Sequence, residues 1–426
     1  MAAGAPGPVA LQSDIADPRL ADEGEARIEW ADGSMPVLRS IRERFADERP
    51  LDGVRVVACL HVTAETANLV RTLIAGGADA ALCAANPLST RDDVAAALAE
   101  RHGAAVQAKR GEGPEDYAQH IGAMVKSRPQ VTLDDGADLI STLHAAGRAQ
   151  DMLGGMEETT TGLVRLRRLE GLACPILAVN EALTERTIND RFGTGQSAFD
   201  GILRATNILL SGRTVVVVGY GWTGKGIALR ARGAGAEVIV CEVDPLRALE
   251  ARMEGFGVMP ALDAAERGDV FITVTGGRDV LGAAHFARMK DGAVLANAGH
   301  FDVEIDLPAL EGAAVGVRDV LPLVEQYDLG DRRLNLLARG RVVNLAAAQG
   351  HPAEVMDMSF ALQALCVEHL VRAAGSLAPG VQPVPDPIDR EVARLKLASL
   401  GVQIDVLTDA QRAYLGTWSP GSPDAV

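Results

Sequence analysis

The chain has 426 residues, 48% of them hydrophobic and 23% charged, with a formal net charge of −16. That length exceeds one ordinary core and predicts two or three globular domains. The acidic balance argues against nucleic acid or an anionic membrane as a main partner, and no apolar stretch reaches transmembrane length. The first residues show neither the basic nor the apolar region of a secretion signal. Five scattered cysteines without a CxxC pair read as buried thiols in a reducing compartment, so a cytoplasmic location is expected.

Residues 1–24, rich in Ala, Gly, Pro and Asp, are expected to form a loose arm. Strand-like runs at 54–60, 78–84, 104–108, 130–135 and 174–180 then alternate with amphipathic segments such as 64–75 and 90–101. This alternation predicts an α/β fold with a parallel sheet covered by helices. Polar residues cluster just after the strands, where open α/β sheets place ligands. They are His61, Thr63 and Glu65; Asp134, Asp135 and Asp138; Glu157, Glu158, Thr159, Thr160 and Thr161; and Asn180. Plainer readings stand beside these: 134–136 as a turn, and 157–161 as the start of a helix.

The run Thr214-Val-Val-Val-Val-Gly219-Tyr-Gly221-Trp-Thr-Gly224-Lys-Gly226 is a β-branched strand feeding a Gly-x-Gly-x-x-Gly turn and then a helix. Gly219 permits the tight turn, Gly221 lets a pyrophosphate approach the backbone, and Gly224 allows close helix–strand packing. A second strand ends in Glu242, about 20 residues on, where this motif places its ribose ligand. A carboxylate there favours NAD over NADP, although Arg247 follows five residues later. The unit continues through 269–276, 293–299 and 313–317, with a last strand expected at 341–347. A long helix at 356–374 and a Pro-rich tail, helical again at 390–400, complete the chain. His300 and His351 follow expected strands. No His/Cys/Asp spacing fits a metal site, and no Ser-His-Asp pattern is present. The expected organisation is two Rossmann-like domains with a cleft between them and a small C-terminal helical tail. The substrate-binding α/β domain spans 1–188, the NAD-binding doubly wound parallel sheet 189–348, a return to the first domain 349–382, and the tail 383–426. Crossings near 190 and 348 make two hinges, and such clefts bind ligands.

Several longer motifs then carry a resemblance. His61-Val-Thr-Ala-Glu-Thr, Asn86-Pro-Leu-Ser-Thr, Leu133-Asp-Asp-Gly, Glu157-Glu-Thr-Thr-Thr-Gly, residues 219–226, Asn297-Ala-Gly-His-Phe-Asp-Val-Glu-Ile-Asp and residues 344–352 resemble S-adenosyl-L-homocysteine hydrolases. The similarity runs from about residue 35 to residue 418. It is similar to the shorter archaeal-type branch, without the Lys/Tyr-bearing extension that reaches a neighbouring subunit's NAD in many members. The resemblance implies an adenine nucleoside substrate, tightly held NAD and a homotetramer. It also implies a redox-neutral cycle: the 3′-hydroxyl is oxidised to a ketone, which acidifies the 4′-proton; the 5′ substituent is eliminated, water adds, and the ketone is reduced again. By motif, Asp135 and His61 would handle the 4′-proton and the leaving group, and Glu158 the ribose hydroxyls. Thr63, Glu65, Asn180 and His351 would line the substrate pocket, with His300 near the 5′ side. Thr159, Thr160, Thr161, Gly219, Gly221, Gly224, Glu242, Asn297 and Asn344 would hold NAD.

One segment departs from the family. Val179-Asn-Glu-Ala-Leu-Thr-Glu185-Arg-Thr-Ile-Asn189-Asp190-Arg-Phe-Gly aligns without a gap to Val-Asn-Asp-x-x-Thr-Lys-x-x-Phe-Asp-Asn-x-Tyr-Gly. The lysine that helps deprotonate the 3′-hydroxyl is Glu185 here; the following aspartate is Asn189 and the asparagine Asp190. Arg91 replaces a glutamine. Exchanging a cation for an anion beside a developing alkoxide is worth several kcal/mol. Three readings follow. The chain is a hydrolase in which Glu185 or Asp190 serves as base, or a non-catalytic NAD- or adenosine-binding protein. The third, favoured by the altered sugar-facing residues, is a paralogue acting on another adenine nucleoside, such as a dehydratase of a nucleoside-antibiotic pathway.

Overall fold

The computed structural model describes residues 11–417. Its strands in chain order are β1 (Asp14–Ile15), β2 (Arg55–Leu60), β3 (Asp79–Ala84), β4 (Ala105–Ala108), β5 (Val131–Asp134), β6 (Gly154–Glu157), β7 (Pro175–Ala178), β8 (Thr214–Val218), β9 (Glu237–Cys241), β10 (Gly257–Val258), β11 (Val270–Thr273), β12 (Ala293–Asn297), β13 (Gly316–Leu321), β14 (Val324–Asp328), β15 (Arg333–Leu337) and β16 (Gly380–Pro383). They form two sheets. The first, in order β1-β4-β3-β2-β5-β6-β7-β16, is parallel throughout. The second, β10-β9-β8-β11-β12-β15-β14-β13, is parallel as far as β15 and ends in antiparallel β14 and β13. Helices cover both faces of the parallel strands, which is why these run apolar without alternation.

Both sheets are wound the same way. Apart from the short edge strand β1, the chain starts each sheet in the middle, at β2 or β8, steps outward one way, then returns to build the other half, as in dinucleotide-binding folds. The order therefore reverses between β2 and β5 in the first sheet and between β8 and β11 in the second. Loops leaving these strand pairs diverge to opposite faces and open a crevice at each switch point. The helix Ala353–Arg372 returns from the second sheet to bury Phe360, Leu362, Val367 and Leu370 in the first core.

Three expectations need correction. Residues 11–24 are not a loose arm: Ile15 pairs with Ala108, Asp14 bonds Lys109 at 2.5 Å, and the helix Ala21–Gly33 packs on the helix Asp92–Arg101. Gly24 makes that approach possible, since a Cβ there would overlap the Asp93 carbonyl. Residues 1–10 lie outside the described residues. The apolar run at 341–347 is not a strand; one bridge joins Val342 to Asn297, and a short helix, Val343–Ala346, follows. Its burial serves a helix contact, with the Val343 carbonyl lying where a Cβ of Gly201 would be. The sixth parallel strand is instead β15. The Pro-rich tail also adds a strand, β16, beside β7 before the helix Asp386–Ser399.

Candidate active site

The first crevice brings two predicted groups together. His61 follows β2 and Asp135 follows β5, the neighbours at the switch point, and His61 Nε2 lies 3.1 Å from Asp135 Oδ2. The other ring nitrogen, Nδ1, lies 2.5 Å from Ser89 Oγ, whose hydroxyl donates to the Asn86 carbonyl at 2.8 Å. With that hydrogen committed, Ser89 must accept, so His61 Nδ1 carries a proton and donates. Nε2 then faces the Asp135 carboxyl within hydrogen-bond reach, a geometry suited to both acid and base work. The adjacent Asp134 has another task. It is buried and accepts from Leu139 N–H at 3.3 Å and Ile140 N–H at 2.7 Å, and burial pushes its carboxyl up to about 8.

A similar division splits the Glu157–Thr161 run. Glu157 Oε1 accepts from Gly136 N–H at 2.9 Å, Thr159 N–H at 2.8 Å and the Thr159 hydroxyl at 2.5 Å, so this residue builds the loop. Thr159 caps the helix Thr160–Arg168 through Gly162 N–H at 3.0 Å, and Thr160 donates to Asn180 Oδ1 at 2.8 Å. Thr161 follows, half-buried, in the first turn of that helix. Glu158 accepts from Gln363 Nε2 at 2.5 Å. Removal from water pushes its carboxyl well above the glutamate range, reinforced by Asp135 and then Glu185. Thr63 caps the helix Ala64–Ala75, placing Glu65 in its first turn, both half-buried.

The chain crosses to the second sheet through one helical run, π-helical over Glu185–Thr194 and α-helical over Gly195–Thr206. π-helical turns are rare and collect at functional sites. Glu185 is 5% exposed and accepts from Asn189 Nδ2 at 2.7 Å. Burial raises its carboxyl to about 7 against hydrogen bonds from Ser359 and Asn189, with Asp190 and Asp389 adding to the rise. Asp190 also rises to about 7 through burial, opposed by Arg186. On the second crossing His351 Nε2 lies 3.0 Å from Thr194 Oγ1 and 3.5 Å from Asn344 Nδ2. Burial, with His61 nearby, lowers His351 to about 4, so its ring is neutral at physiological pH. His300 is solvent-exposed beyond β12, set edge-on to Phe301 at 4.8 Å. The protein around its ring lowers its pKa against the attraction of Asp135.

The second crevice fits a dinucleotide. Gly219 has φ +106°, which only glycine adopts without strain, and a Cβ on Gly224 would overlap the Gly219 carbonyl. Gly221 precedes the helix Trp222–Gly233, whose first N–H groups point into the turn. Glu242 Oε2 accepts from Tyr220 N–H at 2.7 Å, which fixes the acid beside the glycine turn. Asn344 is 6% exposed and its Oδ1 is buried without a hydrogen-bond partner among the described residues. Asn297 is different: it donates to the Phe301 and Gly340 carbonyls at 2.7 and 2.9 Å and accepts from Gly299 N–H at 2.7 Å. Its amide is engaged within the protein and shapes the loop that carries His300.

The sequence alone does not single out Ser89, Ser359, Gln363 or Asp389 as site residues. Ser359 and Gln363 carry a signal, two polar residues at i and i+4 inside an apolar helix; Asp389 carries none. Among the described residues no cluster of His, Cys, Asp and Glu could hold a metal ion, and no helix is long and apolar enough to cross a membrane. A groove of about 770 Å³ beside β13 and β14 is lined by none of the groups above.

A family model described as "S-adenosyl-L-homocysteine hydrolase" matches residues 12–153, and one for its "NAD binding domain" matches residues 190–350. An adenosylhomocysteinase of Aquifex aeolicus is 58% identical over 97% of this chain and 100% of its own length. An S-inosyl-L-homocysteine hydrolase of Methanopyrus kandleri is 54% identical over 96% of this chain and 98% of that protein. Among solved structures, a dipicolinate synthase of Bacillus halodurans aligns with 76% of this chain and 99% of its own. That alignment has a TM-score of 0.50 at 13% identity, a likeness of fold alone.

Proposed function

We propose a function from one premise: the chain belongs to the S-adenosyl-L-homocysteine hydrolase family, whose members are NAD-dependent enzymes. Its reaction is the redox-neutral hydrolysis of a 5′-thioether purine nucleoside, S-adenosyl-L-homocysteine in class, to the nucleoside and the free thiol. The observation that carries this reading is the His61–Asp135 pair, 3.1 Å apart at the switch point of the first sheet. Full-length similarity to a protein named adenosylhomocysteinase supports it.

Bound NAD supplies a hydride acceptor that is restored within the same turnover. The remaining chemistry belongs to the chain. Glu158, held by Gln363, accepts hydrogen bonds from the ribose hydroxyls. Glu185 takes the 3′-hydroxyl proton; a carboxyl titrating near 7 is half ionised at neutral pH and is matched to that exchange. Asn189 keeps its oxygen aimed by donating to it. With the 3′ carbon at the ketone level, the 4′-proton passes to Asp135 and His61. The C5′–S bond breaks, and the pair delivers a proton to the departing sulfur. Water then adds to the C4′–C5′ alkene by the reverse proton transfers. The neutral His351 orients the sugar, and Thr63 and Glu65 face the base.

A second reading is dehydration of another adenine nucleoside, which Glu185, Asn189 and Asp190 favour by departing from the family pattern at the sugar. The measurement that separates the two is product analysis by mass spectrometry. Purified protein is offered S-adenosylhomocysteine, S-inosylhomocysteine, adenosine with homocysteine, and adenine nucleosides including ketose-derived ones. Efficient release of homocysteine supports hydrolysis; loss of water from a nucleoside with no homocysteine release overturns it. The proposal extends to the domain limits at 188, 348 and 382 and to a homo-oligomer, tetrameric as the resemblance implies. Exposed Leu246, Met253, Ile404, Val406, Tyr414 and Leu415 support such an assembly.

A further inference from the structure

The helical run that carries Glu185 begins against a carboxylate from far along the chain. Asp389, on the helix Asp386–Ser399, accepts from Leu183 N–H at 2.8 Å, from Thr184 N–H at 3.1 Å and from the Thr184 hydroxyl. The run has no side-chain cap of its own at this end. A carboxylate there satisfies N–H groups that the helix leaves open and faces its positive pole. The helix bearing Asp389 is in turn anchored. Val392 is fully buried, and Lys396 Nζ lies 2.8 Å from Asp357 Oδ2 and 3.2 Å from the Glu354 carbonyl. Asp357 and Glu354 belong to the helix Ala353–Arg372, which also sends Gln363 to Glu158 and Ser359 toward Glu185. One frame therefore holds both carboxylates that face the sugar.

We propose that Asp389 is a positioning residue for the reaction, holding Glu185 in register against the 3′-hydroxyl by capping the helix that carries it. This rests on the reading of Glu185 as the base. Reacting groups must be held closely, and a misplacement of about 1 Å costs about 100-fold in rate. Asp389 also acts through its charge. The groups facing Glu185 are Asn189 and Asp190 on its own helix, Ser359 and Cys366 on the helix Ala353–Arg372, Glu158 after β6, and Asp389. Burial raises Glu185 most, and Asp190 and then Asp389 add to the rise, so removing the Asp389 carboxylate is expected to move the titration of Glu185 to lower pH.

The test uses the NAD-loaded enzyme with Asp389→Ala, Asp389→Asn and Glu185→Gln, measuring kcat and KM from about pH 5.5 to about pH 9. Asp389→Ala is expected to lose about 10- to 100-fold in kcat with KM little changed, and its acid limb moves to lower pH. Asp389→Asn keeps an acceptor oxygen without the charge; it recovers part of kcat and shows the same limb shift. A fall in kcat with the acid limb unmoved in both variants overturns the proposal, as does a wild-type kcat throughout. Should Asp389→Ala fail to fold, the limb position of Asp389→Asn decides. Glu185→Gln separates the premise from the inference: full activity there removes the base itself. An inactive Glu185→Gln beside a wild-type-like Asp389→Ala removes only the positioning role.

Discussion

Replacing Glu185 by glutamine should stabilise the protein while disabling it. The change removes one ionisable group and almost no volume. Glutamate ordinarily titrates at 4.5, but burial holds this one at about 7. Between those values the folded chain binds more protons than the unfolded chain, so stability falls as pH rises through the window. At about 1.4 kcal/mol per pH unit, the gap amounts to about 3 kcal/mol, in full above pH 7 and absent below pH 4.5. Glu185→Gln carries no such penalty. Its advantage over wild type should be small at about pH 5 and near 3 kcal/mol at about pH 8, while kcat falls at least about 100-fold. The assay is urea unfolding across that range, with NAD saturating for both proteins because bound cofactor raises apparent stability. A stability difference that does not change with pH, or a variant less stable than wild type at high pH, would refute the reasoning.

Gly226→Ala places a Cβ into the Arg191 carbonyl, where the nucleotide helix crosses the π-helical run. It should cost about 3 kcal/mol, read as a lowered Tm, whereas the same change at solvent-facing, helical Gly233 should leave stability unchanged or raise it by up to about 1 kcal/mol. Glu242→Ala removes the acceptor of the Tyr220 N–H and the group proposed to bind a ribose hydroxyl. NAD affinity, measured by calorimetry, should fall about tenfold or more and the preference over NADP should shrink; an unchanged ratio would show that Glu242 only shapes the turn.

Much of this was readable in advance because the physics was local. The runs at β2, β3, β8 and β12 are continuous apolar strands, and the glycine turn needs only neighbours along the chain. β6 was hidden because its sequence, Gly-Gly-Met-Glu, has little strand character. It is selected by crowding instead, since a Cβ on Gly155 would strike Thr132 and one on Gly154 the Pro175 carbonyl. The N-terminal strand was hidden for the opposite reason, its order coming from partners such as Lys109 and His120 about a hundred residues away. At the site, the family resemblance pointed to His61, Asp135 and Glu158, whereas strand-end position alone left Asp134 beside Asp135 and Glu157 beside Glu158. In each pair one carboxylate faces inward to backbone N–H groups and the other faces the cleft, and only the fold decides which.

The two crevices have the same winding but opposite electrical character. The second ends in a glycine turn and the positive pole of a helix, which welcomes phosphate. The first is edged by Asp135, Glu158, Glu185 and Asp190. AMP, ADP and ATP carry the same base and sugar as an adenine nucleoside and differ by anionic phosphate, so a site that takes the nucleoside must tell them apart. Carboxyl groups at the sugar end would disfavour an added phosphate once ionised, so AMP is expected to inhibit less than adenosine. Competitive inhibition by AMP as strong as that by adenosine would contradict this.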